Sequence, residues 1–149
     1  MKIFLGADHR GFALKKKITR FLGQSGHEVK DLGTHNGDDC DYPKISYDVA
    51  TAVTAHEGSR GVLLCMTGIG HSIAANKVPG ARAALVYNKE AALLSRQHNN
   101  ANILVLGAKF TTEKDMEGII KAWLSAEFEG GRHARRMQQV KDIEKEFLK

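Results

Sequence analysis

Five short apolar or alternating runs, Lys2 to Leu5, His27 to Leu32, Gly61 to Cys65, Arg82 to Val86 and Ile103 to Leu106, recur along the chain with helical spacing between them. Each run has the length of a strand and is bounded by Gly, Asn or charge. The first helical stretch places Leu14, Ile18, Phe21 and Leu22 on one face, and the second does the same with Ile45, Val49, Ala52 and Val53. A third helix begins in the Gly68 to Ser72 turn and runs to about Lys77. A fourth spans Lys89 to His98, and Asn99-Asn100 supplies a left-handed cap. Strand alternating with helix is the pattern of a parallel sheet. The nearly continuous apolar runs Gly-Val-Leu-Leu-Cys and Arg-Ala-Ala-Leu-Val are what a sheet covered on both faces requires.

After the fifth strand, Met116, Ile119, Ile120, Trp123 and Leu124 form the apolar stripe of a fifth helix. Gly130-Gly131 breaks the chain, and the segment from Arg132 to Lys149 carries Met137, Val140, Ile143 and Phe147 at helical spacing among many charges. That stripe suits packing on a partner subunit. The expected fold class is α/β: a three-layer, doubly wound, Rossmann-like sandwich on a five-stranded parallel sheet, with an extra C-terminal helix.

The 149 residues fit one domain spanning 1–149, and the 42% hydrophobic and 26% charged content is that of an ordinary globular chain. No apolar run approaches the roughly 20 residues of a membrane-spanning helix, and Met1 to Gly6 lacks the features of a signal peptide. A cytoplasmic location is the default expectation, with no membrane partner. Cys40 and Cys65 are the only cysteines and show neither disulfide nor metal spacing, so neither a metal site nor a cofactor is expected. A formal charge of +5 suits nucleic acid or a small phosphorylated ligand. Arg132, His133, Arg135 and Arg136 lack interleaved aromatics, and Arg132 and Arg136 share one helix face as a two-armed clamp would. The small phosphate is favoured over nucleic acid.

Open parallel sheets bind ligands outside the carboxyl ends of their strands, where helix N-termini present free N–H groups. In this chain those positions hold Asp8-His9-Arg10-Gly11, Cys65 to Ser72, and Tyr87-Asn88. Thr67-Gly68-Ile69-Gly70-His71-Ser72 combines small residues and hydroxyls, a composition that lets backbone wrap around an anionic oxygen. A cysteine at a strand end is, alone, more often a buried structural thiol. Here the following helix start offers the environment that lowers a thiol's pKa and makes it a base. Asp8 has a competing reading as a cap of the next helix. Cys40, among carboxylates, has no such environment.

Taken in order, Gly6-Ala7-Asp8-His9-Arg10-Gly11, Asp41-Tyr42-Pro43, Cys65-Met66-Thr67-Gly68-Ile69-Gly70, Ser72 to Lys77, Ser95-Arg96-Gln97-His98-Asn99 and Glu129 to His133 resemble the ribose-5-phosphate isomerase type B family, which includes allose- and galactose-6-phosphate isomerase relatives. The resemblance covers essentially the whole chain. It implies that Cys65 carries a proton between C1 and C2 through an enediolate, with Thr67 assisting at the oxygens and the loop amides of Gly68, Gly70, His71 and Ser72 stabilising charge. It further implies that His98 opens the furanose ring with support from Asp8, that Tyr42 and Asn99 contact sugar hydroxyls, and that His9, Arg132 and Arg136 hold the phosphate.

His98 ends a helix that returns to the amino edge of the sheet, whereas Asp8 and Cys65 stand at its carboxyl edge. A site shared across a homodimer, or within a tetramer, is the expected solution. Three residues depart from the family pattern: Met66 stands where relatives usually carry Gly; as a milder change, Lys109 stands where an arginine often follows the fifth strand; and His71 stands where some relatives place a carboxylate base. An imidazole there would assist Cys65 or replace it. Ribose 5-phosphate is the expected substrate, a hexose 6-phosphate the alternative, and a non-catalytic sugar-phosphate sensor the rival from another class.

Overall fold

The computed structural model describes residues 1–147. Its elements follow the order β1 (Lys2–Ala7), α1 (Phe12–Gln24), β2 (Glu28–Asp31), α2 (Tyr42–Ala55), β3 (Arg60–Cys65), α3 (Ile69–Ala75), β4 (Ala83–Leu85), α4 (Lys89–Asn99), β5 (Ile103–Gly107), α5 (Glu113–Ser125) and α6 (Arg132–Phe147). All five strands join one parallel sheet in the order β2-β1-β3-β5-β4. The expected α/β sandwich with its additional terminal helix is therefore the observed one. Leu148 and Lys149, which the sequence assigns to the last helix, lie outside the described residues.

Alternation along the strands divides the interior into two layers. Ile3, Leu5, Val62, Leu64, Leu104 and Leu106 face α1 and α5, where Leu14, Ile18, Leu22, Met116, Ile119, Ile120 and Trp123 complete one core. Phe4, Leu63, Ile103 and Val105 face the opposite layer and pack with Ile45, Val49, Ala50, Val53 and Ala75 of α2 and α3. Trp123 is fully enclosed. α4 packs beside α5, and Asn100 ends it in the left-handed conformation at φ 47°, as the Asn-Asn pair predicts.

One strand differs from expectation in its place. The apolar run Arg82 to Val86 reads as a strand covered on both faces, but β4 keeps only Ala83–Leu85 and lies at the sheet edge, each residue half-buried. Its apolar character is used against α3 on one side and the groove beside α6 on the other.

The sheet order sets the position of the crevice. From β1 the chain moves outward to β2, and from β3 it moves the other way to β5 and β4, so α1 and α3 leave adjacent strands towards opposite faces. The gap between the carboxyl ends of β1 and β3 is the topological switch point of a doubly wound sheet. Ala7 pairs with Leu64, which sets Asp8 next to Cys65.

Candidate active site

Cys65 is the last residue of β3 and is enclosed, with 6% of its surface exposed. Its Sγ accepts the Gly68 N–H at 3.1 Å. Gly68 makes that bond because it adopts φ +83°, which L side chains rarely tolerate, and a Cβ there would also meet Leu85 at 2.5 Å. Thr67 Oγ1 accepts the Ile69 N–H at 3.2 Å, and the Thr67 carbonyl accepts the Tyr87 hydroxyl at 3.0 Å. The loop is thereby held from within and from β4's exit. Met66 is 39% exposed beside the thiol, and Ser72 is partly exposed on α3.

Across the crevice, the buried Asp8 accepts the N–H groups of Arg10 (2.9 Å) and Gly11 (3.2 Å) on one oxygen, Oδ1. These bonds close the turn before α1 and do not cap the helix, whose N-cap Gly11 has no side-chain cap, and Oδ2 has no hydrogen-bond partner among the described residues. His9 lies on the other side of the turn. Its Nδ1 accepts the Cys40 N–H at 3.2 Å and its Nε2 lies 3.5 Å from the Asp39 carboxylate. Cys40 therefore acts through its backbone, holding the imidazole that the sequence assigns to phosphate. Tyr42 begins α2 and lies over Gly70, where a Cβ would stand 2.6 Å from the ring.

His71 departs from its expected place. The sequence offers it as a substrate contact or a base, but its ring is 0% exposed. Nε2 lies 3.0 Å from the Leu64 carbonyl oxygen and Nδ1 lies 2.6 Å from Ser46 Oγ. Burial pushes its pKa down to about 4, against smaller upward pulls from Asp8 and the Leu64 carbonyl. Both nitrogens are occupied and no face is open to a ligand, so the side chain is removed from the list of substrate contacts.

His98, Asn99, Arg132 and Arg136 lie elsewhere. α4 ends just before β5 begins, and the Asn102 N–H is donated to the Arg82 carbonyl at the entry of the sheet. Asn99 lines a groove with Ala81 to Ala84 and Met137, Val140 and Ile143. Cys65 is level with Gly107 and Gly61 with Ile103, so this amino edge is on the order of 15 Å from the thiol. There His98 stacks on His133, centroids 4.2 Å apart and planes within 9°. Arg132 and Arg136 are exposed and form no ion pair among the described residues.

One copy thus assembles two clusters rather than one. Asp8, His9, Tyr42, Cys65, Thr67, Gly68, Gly70 and Ser72 gather at the carboxyl edge, and His98, Asn99, Arg132 and Arg136 at the amino edge. Ligand atoms of His98, Glu129 and His133 lie within 4.8 Å of one another, a spacing that a metal ion requires. The surrounding charge works against a cation: desolvation first, then His98, Arg132 and Arg136, lower the proton affinity of His133 despite Glu129. The same field favours an anion.

A family model described as ribose/galactose isomerase matches residues 3–140. The chain belongs to the ribose/galactose isomerase family. It is 44% identical over 143 residues to ribose-5-phosphate isomerase B of Escherichia coli, covering 96% of each protein. Among solved structures, ribose-5-phosphate isomerase B of Clostridium thermocellum is 49% identical, with a TM-score of 0.97 and 99% of each chain covered. The Mycoplasma genitalium enzyme, solved with bound ribulose-5-phosphate, is 42% identical at a TM-score of 0.93, with 97% of each covered.

Three supports of this isomerase-family site escape sequence reasoning. Ser46, fully buried, is paired with His71 from 25 residues away. Lys15, 1% exposed, donates to both oxygens of Asp31 at 2.6 Å and to the Thr34 carbonyl. Asp39 and Cys40 orient His9. Only Lys15 leaves a trace in the sequence, since it falls one position after the buried Leu14 on α1 and therefore borders the apolar face.

Proposed function

We propose that this chain interconverts ribose 5-phosphate and ribulose 5-phosphate, with Cys65 as the base. The observation that carries the reading is the thiol at the switch point: Cys65 receives the Gly68 N–H at 3.1 Å and stands beside Asp8, whose second oxygen is uncommitted. Membership in a family whose relatives bear this activity in their names supports the same assignment.

In the open-chain aldose, the Cys65 thiolate takes the C2 proton as the C1 carbonyl becomes an enediolate oxygen. The Gly70 and His71 N–H groups, the two of the turn not given to Cys65, Thr67 or the Gly68 carbonyl, stabilise the developing charge, the Thr67 hydroxyl relays the C2 hydroxyl proton to O1, and the protonated thiol returns its proton to C1 as the C2 carbonyl forms. Asp8 and His98 serve ring opening, Tyr42 and Asn99 the sugar hydroxyls, and His9, Arg132 and Arg136 the phosphate. Separation of His98 from Cys65 supports a site completed by the amino-edge cluster of a second copy. α6 supports it further, since Ile143 and Phe147 remain 57% and 77% exposed on its apolar stripe.

The test compares ribose 5-phosphate with allose and galactose 6-phosphates in one assay, together with solvent-deuterium exchange at C2. Cys65→Ala is expected to lower kcat by about 10²- to 10⁴-fold and remove the exchange. Faster turnover of a hexose phosphate would reassign the substrate. Exchange that survives in Cys65→Ala would reassign the base.

A further inference from the structure

His71 is an enclosed imidazole that connects four elements of the site without opening onto it. A carbonyl oxygen only accepts, so Nε2 carries the hydrogen and donates to the Leu64 oxygen at 3.0 Å. Nδ1 of the neutral ring is left as an acceptor for the Ser46 hydroxyl at 2.6 Å. The Leu64 oxygen also accepts the Asp8 N–H at 3.2 Å, and Leu64 directly precedes Cys65. Ser46 lies one turn into α2, its single hydroxyl hydrogen shared between His71 Nδ1 and the Tyr42 carbonyl oxygen 3.0 Å away, and the Tyr42 ring meets the His71 ring edge-on at 5.7 Å. One side chain on α3 therefore touches the carbonyl shared by β1 and β3 and the first turn of α2.

We propose that the His71 side chain is a positioning group of the isomerase site, a neutral clamp that works with Ser46 to fix Asp8 and Tyr42 relative to Cys65 while its ring never touches the sugar phosphate. The inference rests on the assignment of the carboxyl-edge crevice as the reaction site. Its chemistry follows from the tautomer. A base at this position needs a free lone pair directed at substrate, and here that lone pair is given to Ser46 inside the protein. Asp8 is the charged group facing the ring, from the end of β1, and Tyr42 faces it from α2.

Imidazole ¹⁵N spectra of the intact wild-type protein read the tautomer directly. The expected result is an Nε2–H ring whose shifts do not move between pH 5 and 8. A ring that titrates near its ordinary value, or that carries its proton on Nδ1, overturns the proposal, and this reading does not depend on turnover. Kinetics of His71→Leu, Ser46→Ala and the double variant supply the second arm. Each single change is expected to lower kcat about ten- to a hundredfold through misplacement, with KM within about twofold and C2 exchange still measurable. The double variant is expected to be no worse than the poorer single one, because the pair acts as a unit.

His71→Gln, whose amide N–H reaches towards the Leu64 oxygen, is expected to recover most of kcat. Loss of exchange in His71→Leu as complete as in Cys65→Ala would make His71 the base, and unchanged kcat would remove its positioning function. A wild-type protein inactive on every sugar phosphate would overturn the functional assignment instead, while the ¹⁵N result would still report on the clamp.

Discussion

A single donated N–H supports the proposed reading of Cys65 as a base over its reading as a structural thiol. Gly68 supplies it, and the left-handed turn at Gly68 is what turns that N–H back on the sulfur. His71 shows the reverse case, a side chain whose chemistry is consumed by its own surroundings. Its pH signature has a defined sign. The folded-state pKa of about 4 lies below the ordinary 6.5, so between those values the unfolded chain binds more protons. Stability is complete above pH 6.5 and falls as pH drops towards 4, by roughly 2 kcal/mol at pH 5 from this ring. Urea melts at pH 7 and pH 5 are expected to show that loss in the wild type and not in His71→Gln. Equal losses in both would mean that the ring is accessible to protons in the folded state. His71 was visible in the sequence as a departure, but its burial was not, because its two partners come from β3 and α2 rather than from its own helix.

At the scale of elements, α1 is tied to the end of β2 by Lys15, whose ammonium meets Asp31 and the Thr34 carbonyl. The same loop exchanges backbone hydrogen bonds with Ala7, through the Gly33 oxygen and the Thr34 N–H, immediately before Asp8. Lys15→Met is expected to cost about 2 kcal/mol, less than a fully buried pair because Asp31 retains solvent. Denaturant melts measure it, and a change below about 0.5 kcal/mol would reduce the pair to an ordinary surface contact. Gly70→Ala tests the contact between α3 and α2: its Cβ would meet the Tyr42 ring at 2.6 Å and displace it. A KM raised several-fold with folding intact is the expected outcome, and unchanged kinetics would separate Tyr42 from the sugar.

The strands were legible because each apolar run is short and cleanly bounded, and α5 because its stripe repeats for two turns. The position of β4 was not, since Ala-Ala-Leu at a sheet edge carries the same apolar signal as a strand in the middle. Strand order depends on which helix packs on which face, and no local pattern records it.

For the whole molecule, the proposed site shared by Cys65 of one copy and His98 of another predicts how defects combine. Mixing Cys65→Ala and His98→Ala proteins under subunit exchange creates dimers with one doubly defective site and one intact site. Random pairing of equal amounts makes half the dimers mixed, so about one quarter of wild-type activity is expected to return. No recovery, with exchange verified by mass, would place the complete site within one copy. The sequence exposed this division through topology alone, because a helix between parallel strands must return to the amino edge. The α6 helix was legible from its apolar stripe too, though its anchor, the Gly80 N–H donated to Glu144, was not.

If the two clusters at opposite edges complete each other across copies as proposed, the protein's own abundance becomes part of its rate law. On that arrangement a lone copy carries the proposed base without the histidine proposed to open the ring, and dilution below the subunit dissociation constant is expected to take specific activity towards zero. Synthesis of such a chain would then yield turnover only as copies meet, with output rising more steeply than concentration until pairing is complete.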